Sequence, residues 1–334
     1  MLIGDRPHFS HLRKVRLLVL ILVALPWFAT AQPGAWPSRP VRIIATSPPG
    51  GSVDLLARIA AEEFTRAFGQ PFVVENRPGA NGNIGADLVL KAPADGHMLF
   101  VAPPGPFSIN AHLMASMPFD PATDIAAVAL LGVSPLLLVV HPSVPARNLA
   151  ELAAWMKSRS GEVNYASQAV ASTGHLAMEL FKPLAGVEAT HIPYKGSATQ
   201  ATADLLAGRV AMSFVNTSTT LPYVRTGQLR AIAVAEKTRI AAAPEIPTLD
   251  EAGVPGFEAT PWLGLGARTG TPRDTIQRLN ETVQRAMTRP ETLERLHRIG
   301  IEARPMTPGE FAAFIRTETA KWGDIIRRSG ARAE

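Results

Sequence analysis

The chain has 334 residues, of which 33 are basic, 28 are acidic and none is cysteine. A chain of this length can bury a full core without disulfides, as one large domain or two smaller ones. No block of basic residues alternates with aromatic residues, so we expect no nucleic acid partner. The eight histidines are scattered along the chain, so we expect no metal site and no cofactor.

The first 31 residues are predicted to be a secretory signal peptide. A basic region over residues 6–16 precedes an apolar run from Leu17 to Leu25. Pro26 breaks this run, and Ala29-Thr30-Ala31 forms a cleavage site before Gln32. The run is too short to span a bilayer. We therefore expect cleavage near Ala31–Gln32 and a soluble protein in the periplasm; a retained anchor is the alternative.

A glycine turn follows the first predicted strand, which runs from Val41 to Ile44. In Pro48-Pro49-Gly50-Gly51 the prolines end the strand, and the glycines permit close approach of the backbone. Ser52 or Asp54 is expected to cap the helix that follows. A strand, a glycine turn and a helix N-terminus together offer main-chain N–H groups to an anion. The same pattern also occurs as an ordinary connection between a strand and a helix.

Strands and helices are predicted to alternate along the rest of the chain. This alternation favours an α/β fold with a largely parallel sheet, in which ligands bind beyond the carboxyl ends of the strands. The further predicted strands cover 72–75, 97–102, 136–140, 163–166, 190–193, 210–214 and 229–234. One further predicted helix begins at 86, and others cover 149–158, 174–181, 198–206, 275–287, 291–299 and 308–328.

Short motifs spread over the mature chain resemble those of one protein family. In chain order they are Trp36 to Pro40, Pro48 to Gly51 with Asp54, Val74 to Ala80, Gly82 to Gly85, Ala94 to Gly96, Met117 to Pro121, His175 to Phe181, Ile192 to Gly196, Leu205 to Val210 and Pro247 to Gly253. With these motifs the chain resembles the substrate-binding proteins of tripartite tricarboxylate transporters, the Bug family of extracytoplasmic solute receptors. Because the motifs occur together, in the family's order and behind a signal peptide, the resemblance is specific.

The resemblance implies an α/β, type II periplasmic-binding-protein fold, in which two lobes face each other across a central ligand cleft. The chain is then expected to cross between the lobes twice, near 131–136 and near 257–263. Lobe one would comprise 37–133 plus 260–334, and lobe two 134–259. The family's usual ligand is a small carboxylate, held by main-chain amides and ordered water rather than by an arginine.

The candidate ligand-binding residues lie where predicted strands and glycine loops end. Gly50, Gly51 and Ser52 are expected to form a nest of amides in lobe one. Ser172 and Thr173 begin a lobe-two helix that offers a second anion-binding end. The full set of candidates is Gly50, Gly51, Ser52, Asn83, Ser108, Ser167, Ser172, Thr173, Tyr194, Asn216 and Ser218.

Several of these positions have a structural alternative. The Ser172 and Thr173 pair can serve only as a helix cap, and Asn83 is also a common turn residue. Tyr194 is expected after a strand, where it can pack on a ligand. We expect His175 to be structural and Lys195 to be a solvated surface charge.

The resemblance implies a receptor rather than an enzyme. We expect it to deliver a small carboxylate to the membrane permease subunits of a tripartite tricarboxylate-type transporter, and to act as a monomer. The sequence contains no G-x-S-x-G, H-E-x-x-H or Walker motif. Two alternatives remain open: a ligand-binding sensor for a membrane kinase, and a periplasmic hydrolase.

Two departures from the family pattern bear on the ligand. Ser47 precedes the two prolines, where the family commonly has an aromatic-proline lead, and Val215 stands where many members carry aspartate. The next residues, Asn216 to Ser218, are neutral, so a buried ammonium group would lack a counter-charge. We expect a mono- or dicarboxylate without an amine, aliphatic or aromatic, unless Asp54 faces the cleft.

Overall fold

The computed structural model describes residues 1, 36–194, 198–298 and 300–329. Residues 1–38 and 39–334 form separate compact units, and the strands and helices of the described residues lie in the second. Apart from Met1, the predicted signal peptide and its cleavage site fall outside the described residues. Among the residues described, no helix combines the length and the apolar character that crossing a bilayer requires.

The strands of the described residues form two five-stranded sheets. The strands are β1 (Val41–Ala45), β2 (Phe72–Asn76), β3 (Met98–Ala102), β4 (Ile125–Val133), β5 (Leu136–Val140), β6 (Asn164–Ser167), β7 (Thr190–Pro193), β8 (Met212–Asn216), β9 (Arg230–Val234) and β10 (Trp262–Arg268). The lobe-one sheet has the order β2-β1-β3-β10-β4, and the lobe-two sheet has the order β7-β6-β8-β5-β9.

Helices connect most of these strands. They are α1 (Ser52–Phe68), α2 (Asn83–Leu90), α3 (Asn110–Leu113), α4 (Pro121–Asp124), α5 (Leu149–Ser158), α6 (Thr173–Ala185), α7 (Ala198–Leu206), α8 (Thr217–Arg225), α9 (Arg273–Ala286), α10 (Pro290–Arg298) and α11 (Pro308–Ser329). A 3-10 turn precedes α2 at Ala80–Gly82, and a π-helical turn precedes α3 at Gly105–Ile109. The predicted α/β fold of two lobes is confirmed.

One strand in each sheet runs against the other four. In lobe one β10 is antiparallel to both β3 and β4, and in lobe two β5 is antiparallel to both β8 and β9. Each reversed strand is the first that the chain enters after it leaves the other sheet. Because it enters at the edge where the parallel strands end, it runs in the opposite direction. The starts of β5 and β10 therefore lie at the same edge as the carboxyl ends of their neighbours.

The two crossings between the sheets lie side by side. The first is Ser134-Pro135, between β4 and β5, and the second reaches β10 through Pro261. The main-chain N–H of Ser134 donates to the carbonyl oxygen of Pro261 at 2.9 Å. The crossings are therefore joined where they pass from one lobe to the other.

Helix α11 packs into the cores of both lobes. Near its start, Phe311 packs edge-on against Trp262 among the buried aromatic residues of lobe one. Near its end, Trp322 belongs to the hydrophobic cluster that fills lobe two. The buried carboxylate of Glu318 accepts the indole N–H groups of both Trp262 and Trp322, each at 2.9 Å. The helix thus links the start of β10 to the lobe-two core.

Two strands and three helices were not predicted from the sequence: β4, β10, α3, α4 and α8. Gly264 and Gly266 lie inside β10, where glycine weakens the strand pattern. A Cβ at Gly266 would lie 2.5 Å from the ring of Phe100, so the glycine makes room for a core aromatic residue. Helix α8 contains Pro222 and a run of hydroxyl residues, which lowers its helix propensity.

Candidate functional site

A cavity of about 520 Å³ lies where the two sheets face each other. Ser47, Pro103 and Gln168, which follow β1, β3 and β6, line it, and so do Leu136 and Leu263 from the reversed strands. This is the edge at which ligands bind in open α/β sheets. The topology therefore builds the cavity from strand ends of both lobes.

The lobe-one wall of the cavity is the start of α1. Gly51 precedes the helix, and Gly51, Ser52 and Val53 all line the cavity. The first N–H groups of a helix have no acceptor within the helix, so this wall offers main-chain donors together with the positive end of the helix dipole. Gly50 has a φ of +86°, a conformation that suits glycine, and it lets the chain turn into the helix.

Asp54 supports this turn from behind. Its carboxylate accepts the N–H of Gly50 at 3.0 Å and Nδ2 of Asn76 at 2.9 Å, and it pairs with Arg58 at 3.0 Å. Burial alone would raise the pKa of Asp54, but the hydrogen bonds from Arg58, Gly50 and Asn76 hold it below its ordinary value. The predicted cap by Ser52 or Asp54 is wrong, because the N-cap is Gly51 and Asp54 binds the N–H of Gly50 instead.

The position of Asp54 bears on whether the cleft holds a counter-charge for an amine and on which amides are available to a carboxylate. Asp54 is buried and does not line the cavity, so it does not face the cleft as a counter-charge for an amine. The N–H of Gly50 is already bound by this carboxylate. Of the predicted nest, the amides of Gly51 and Ser52 remain for a ligand.

The lobe-two wall is the start of α6. Ser172 is its N-cap: the hydroxyl oxygen accepts the N–H of His175 at 3.3 Å. Thr173 and Gly174 follow and line the cavity. A Cβ at Gly174 would lie 2.5 Å from the carbonyl oxygen of Phe214. Glycine at this position therefore lets the start of α6 pack directly on β8.

Two more helices begin at the cavity. Ala198 and Thr199 at the start of α7 line it, as do Asn216 and Thr219 at the start of α8. Nδ2 of Asn216 donates to the hydroxyl oxygen of Ser134 at 2.9 Å, which joins α8 to the first crossing. Helices from both lobes therefore direct their N-termini towards one space.

Five of the predicted ligand-binding residues line this cavity, and the other six do not. The five are Gly50, Gly51, Ser52, Thr173 and Asn216. The six that do not line it are Asn83, Ser108, Ser167, Ser172, Tyr194 and Ser218.

The two lobe-one residues among the six belong to buried networks. The side-chain oxygen of Asn83 accepts Nδ2 of Asn110 at 2.6 Å, and its own Nδ2 contacts the sulfur atoms of Met114 and Met117 at 3.1 Å each. Ser108 is fully buried and donates to the carbonyl oxygen of Pro104 at 3.0 Å. Both residues shape the loops behind the lobe-one wall.

The lobe-two residues among the six serve the loops and helix starts. The Ser167 hydroxyl donates to the carbonyl oxygen of Ala169 at 2.8 Å. The Tyr194 hydroxyl donates to Asp204 at 2.7 Å, and burial together with this bond raises the pKa of Tyr194 to about 12. The Ser218 hydroxyl is buried and has no hydrogen-bond partner in the described part of the chain.

Several residues that line the cavity were not predicted from the sequence. Gln168 comes directly after β6, so the rule that ligands bind beyond strand ends was sufficient to find it. Phe214 and Leu263 give the cavity an apolar surface, but their side chains belong to ordinary strand patterns. Ser134 lies in a crossing, which no local motif identifies.

The cavity is suited to an anion. Of the described residues that line it, none carries a charged side chain. Main-chain amides at several helix N-termini surround it, and each favours negative charge. An ammonium group would meet the same positive helix ends, and no carboxylate in the described lining would balance its charge. Between the amides, Leu136, Phe214 and Leu263 are suited to a hydrocarbon body.

The comparisons with known proteins agree on one family. The sequence model described as "Tripartite tricarboxylate transporter family receptor" matches residues 56–331. BugT of Bordetella pertussis is 36% identical over 325 residues, which are 96% of this chain and 99% of BugT. The solved structure of R. palustris Rpa4515 with adipate has a TM-score of 0.84 and 37% identity, covering 89% of this chain and 99% of that one. MatC of Rhodopseudomonas palustris with bound malate has a TM-score of 0.78 and 31% identity, covering 87% and 100%.

Proposed function

This chain belongs to the receptor family of tripartite tricarboxylate transporters, and we propose that it binds a small carboxylate in the cavity between its lobes. It then delivers this ligand to the membrane permease subunits of such a transporter. The observation that carries the proposal is the chemistry of the cavity, in which helix N-termini of both lobes meet without a charged side chain in the described lining. Such sites bind anions through main-chain N–H groups.

The ligand in this proposal is a mono- or dicarboxylate without an amine. The walls of lobe one and lobe two each present a helix start, so each can hold one carboxylate group. Apolar side chains between the walls hold an aliphatic or aromatic body. Adipate in Rpa4515 and malate in MatC are amine-free dicarboxylates held by related structures, which supports this class.

The protein acts in the periplasm as a monomer in this proposal. The basic, apolar and cleavage regions of residues 1–31 support export and cleavage near Ala31–Gln32. Mass spectrometry of the exported protein is expected to find the N-terminus within a few residues of Gln32. Recovery of the uncleaved chain in the membrane fraction would refute the export step.

A thermal-shift panel on the mature protein tests the binding proposal. The panel contains succinate, malate, citrate, adipate and benzoate, together with aspartate and glutamate as amine-bearing controls. An acid present at about 100 times its Kd is expected to stabilise the protein by about 2.7 kcal/mol. The proposal fails if no acid shifts the transition. Hydrolysis of a carboxylate ester by the protein would instead indicate an enzyme.

A further inference from the structure

Two stacked histidines lie directly behind the start of α6. The rings of His175 and His191 are parallel to within 9°, and their centroids are 3.9 Å apart. Tyr165 extends the stack at 4.9 Å from His191. At this separation two protonated rings would repel each other strongly, because the surrounding protein screens charge less than water does.

His175 holds the loop 168–172, which leads from β6 into α6. Its Nδ1 accepts the main-chain N–H of Ala171 at 2.9 Å. Ala171 has a φ of +62°, a left-handed conformation that an alanine keeps only where neighbouring contacts enforce it. Because Nδ1 needs its lone pair for this bond, the ring proton of neutral His175 lies on Nε2.

His191 contacts the same loop through Ser167. The Ser167 hydroxyl donates to the carbonyl oxygen of Ala169 at 2.8 Å, so Nε2 of His191, 2.6 Å away, donates to the hydroxyl oxygen. The Ser172 hydroxyl donates to the same carbonyl at 2.8 Å. The loop is thus held at two points, Ala169 by hydroxyl groups and Ala171 by an imidazole.

The charges that face the two rings are already paired. The carboxylate of Glu179 lies 3.9 Å from Nε2 of His175, but it accepts the Tyr165 hydroxyl and pairs with Lys182, each at 2.7 Å. Burial and the neighbouring His175 lower the pKa of His191 to about 4. Burial also lowers the pKa of His175. Both rings are therefore neutral at neutral pH.

The loop that these rings hold contributes to the cavity wall, since Gln168 lines the cavity and so do Thr173 and Gly174 just after the loop. We propose that His175 is a positioning residue whose neutral ring keeps this wall in its ligand-binding conformation. Protonation of His175 at Nδ1 in acid breaks the bond to Ala171 and weakens carboxylate binding. This inference rests on the proposed function, because it concerns the regulation of the same site.

Substitutions of His175 test the inference with adipate as the probe. His175→Leu removes the acceptor, whereas His175→Asn supplies a side-chain oxygen near the Nδ1 position that does not titrate. His297→Asn, which removes an exposed histidine on α10, is the matched control. Calorimetry gives the Kd of adipate at pH 7.5 and pH 4.5, and circular dichroism confirms that each variant is folded. The ionisation of adipate itself cancels when proteins are compared at one pH.

The expected result is a difference between pH profiles. At pH 7.5, His175→Leu is expected to bind adipate about tenfold more weakly than the wild type, and His175→Asn to restore most of this loss. Between pH 7.5 and pH 4.5, the wild type and His297→Asn are expected to lose about tenfold more affinity than His175→Asn. Equal losses in the wild type and His175→Asn would overturn the inference. Tighter binding by the wild type in acid would overturn it too, because the ligand would then attract the protonated ring.

A measurement without ligand separates this inference from the proposed function. The ring ¹⁵N shifts of His175 are expected to show the Nε2–H tautomer at pH 7.5, and the amide signal of Ala171 is expected to shift as the ring is protonated. A proton on Nδ1 at pH 7.5, or an Ala171 amide that does not follow the titration, would overturn the inference. Failure of adipate and of every other acid to bind the wild type would refute the proposed function, and the NMR result would still decide the role of His175.

Discussion

The two walls of the cavity offer a ligand the same chemistry, main-chain amides at a helix N-terminus, but different groups hold them in place. The lobe-one wall is fixed by the ionised carboxylate of Asp54, which binds the N–H of Gly50 and pairs with Arg58. The lobe-two wall is fixed by hydroxyl groups and by the neutral ring of His175. A carboxylate with a lowered pKa stays ionised in mild acid, whereas an imidazole takes up a proton as the pH falls. The walls should therefore respond differently to acid and to substitution.

The largest expected effect on stability is at Gly174 of the lobe-two wall, and it should be absent at Gly51 of the lobe-one wall. Gly174→Ala places a Cβ 2.5 Å from the carbonyl oxygen of Phe214, so we expect the free energy of unfolding to fall by about 2–3 kcal/mol. Gly51→Ala is the matched control, because the nearest atoms to its Cβ lie 3.9 Å away. We expect the control to change stability by less than about 1 kcal/mol. Urea denaturation measures the stability of both variants. Equal losses of stability would show that the close packing of Gly174 on β8 does not require glycine.

The next largest effect is expected at Asp54, whose carboxylate supports the lobe-one wall. Asp54→Ala removes the acceptor of the Gly50 N–H and of the Asn76 amide, and it removes the ion-pair partner of Arg58. We therefore expect the free energy of unfolding to fall by about 2 kcal/mol at pH 7. Because the pKa of Asp54 is lowered in the folded protein, its contribution is present above about pH 4 and is lost as the pH falls through the folded pKa. Urea denaturation at several pH values measures the difference.

The control for Asp54 is another aspartate on a helix. Asp87→Ala breaks the pair with the exposed Lys91, which also has an i,i+4 spacing. A surface pair of this kind is worth less than about 1 kcal/mol. If Asp54→Ala and Asp87→Ala lower the free energy of unfolding by the same amount, the carboxylate of Asp54 has no special role in the turn.

The sequence predicted one wall better than the other for a physical reason. The Pro-Pro-Gly-Gly turn is local, so its own residues are enough to predict that Gly51 and Ser52 lie at the cavity. The role of Gly174 depends on β8, which packs against α6 but lies far along the chain. In lobe one, Asn83 does not line the cavity, because it is held by a distant partner, Asn110, 27 residues away. Alternation and motifs predict where loops meet, but long-range packing decides which side chains face the cavity.

A third prediction concerns the titration of the lobe-two wall. His191 has a pKa of about 4 in the folded protein and about 6.5 when unfolded, so between these values the unfolded chain binds more protons. Stability is therefore expected to fall as the pH is lowered from about 6.5 to about 4. Below about pH 4 the ring of His191 is protonated in both states, and its contribution no longer changes. We expect His191→Phe to remove on the order of 1 kcal/mol of this acid-induced loss. Urea denaturation at pH 7.5 and pH 4.5 measures this difference, with substitution of the exposed His297 on α10, His297→Phe, as the control. If the wild type, His191→Phe and His297→Phe lose the same stability between pH 7.5 and pH 4.5, His191 is not the group responsible.

The smallest expected effect on the fold is at Gly51. A Cβ at this position meets no atom closer than 3.9 Å, but a valine side chain stands at the start of α1, where a ligand carboxylate would approach. We expect Gly51→Val to remain folded and to bind its carboxylate at least about tenfold more weakly. Gly309→Val is the control, because Gly309 also has open space around its Cβ and does not line the cavity. Unchanged affinity in a folded Gly51→Val protein would place the ligand elsewhere.

Calorimetry with matched acids tests the central claim most directly: that the cavity binds a carboxylate through helix N-termini and that its described lining offers no counter-charge to an amine. The pairs are succinate with aspartate, and adipate with 2-aminoadipate, which differ only by the amino group. Burial of an unpaired ammonium costs several kcal/mol. We therefore predict that at least one amine-free acid binds and that its amino counterpart binds at least about 100-fold more weakly. Equal or tighter binding of the amino acid would contradict the account.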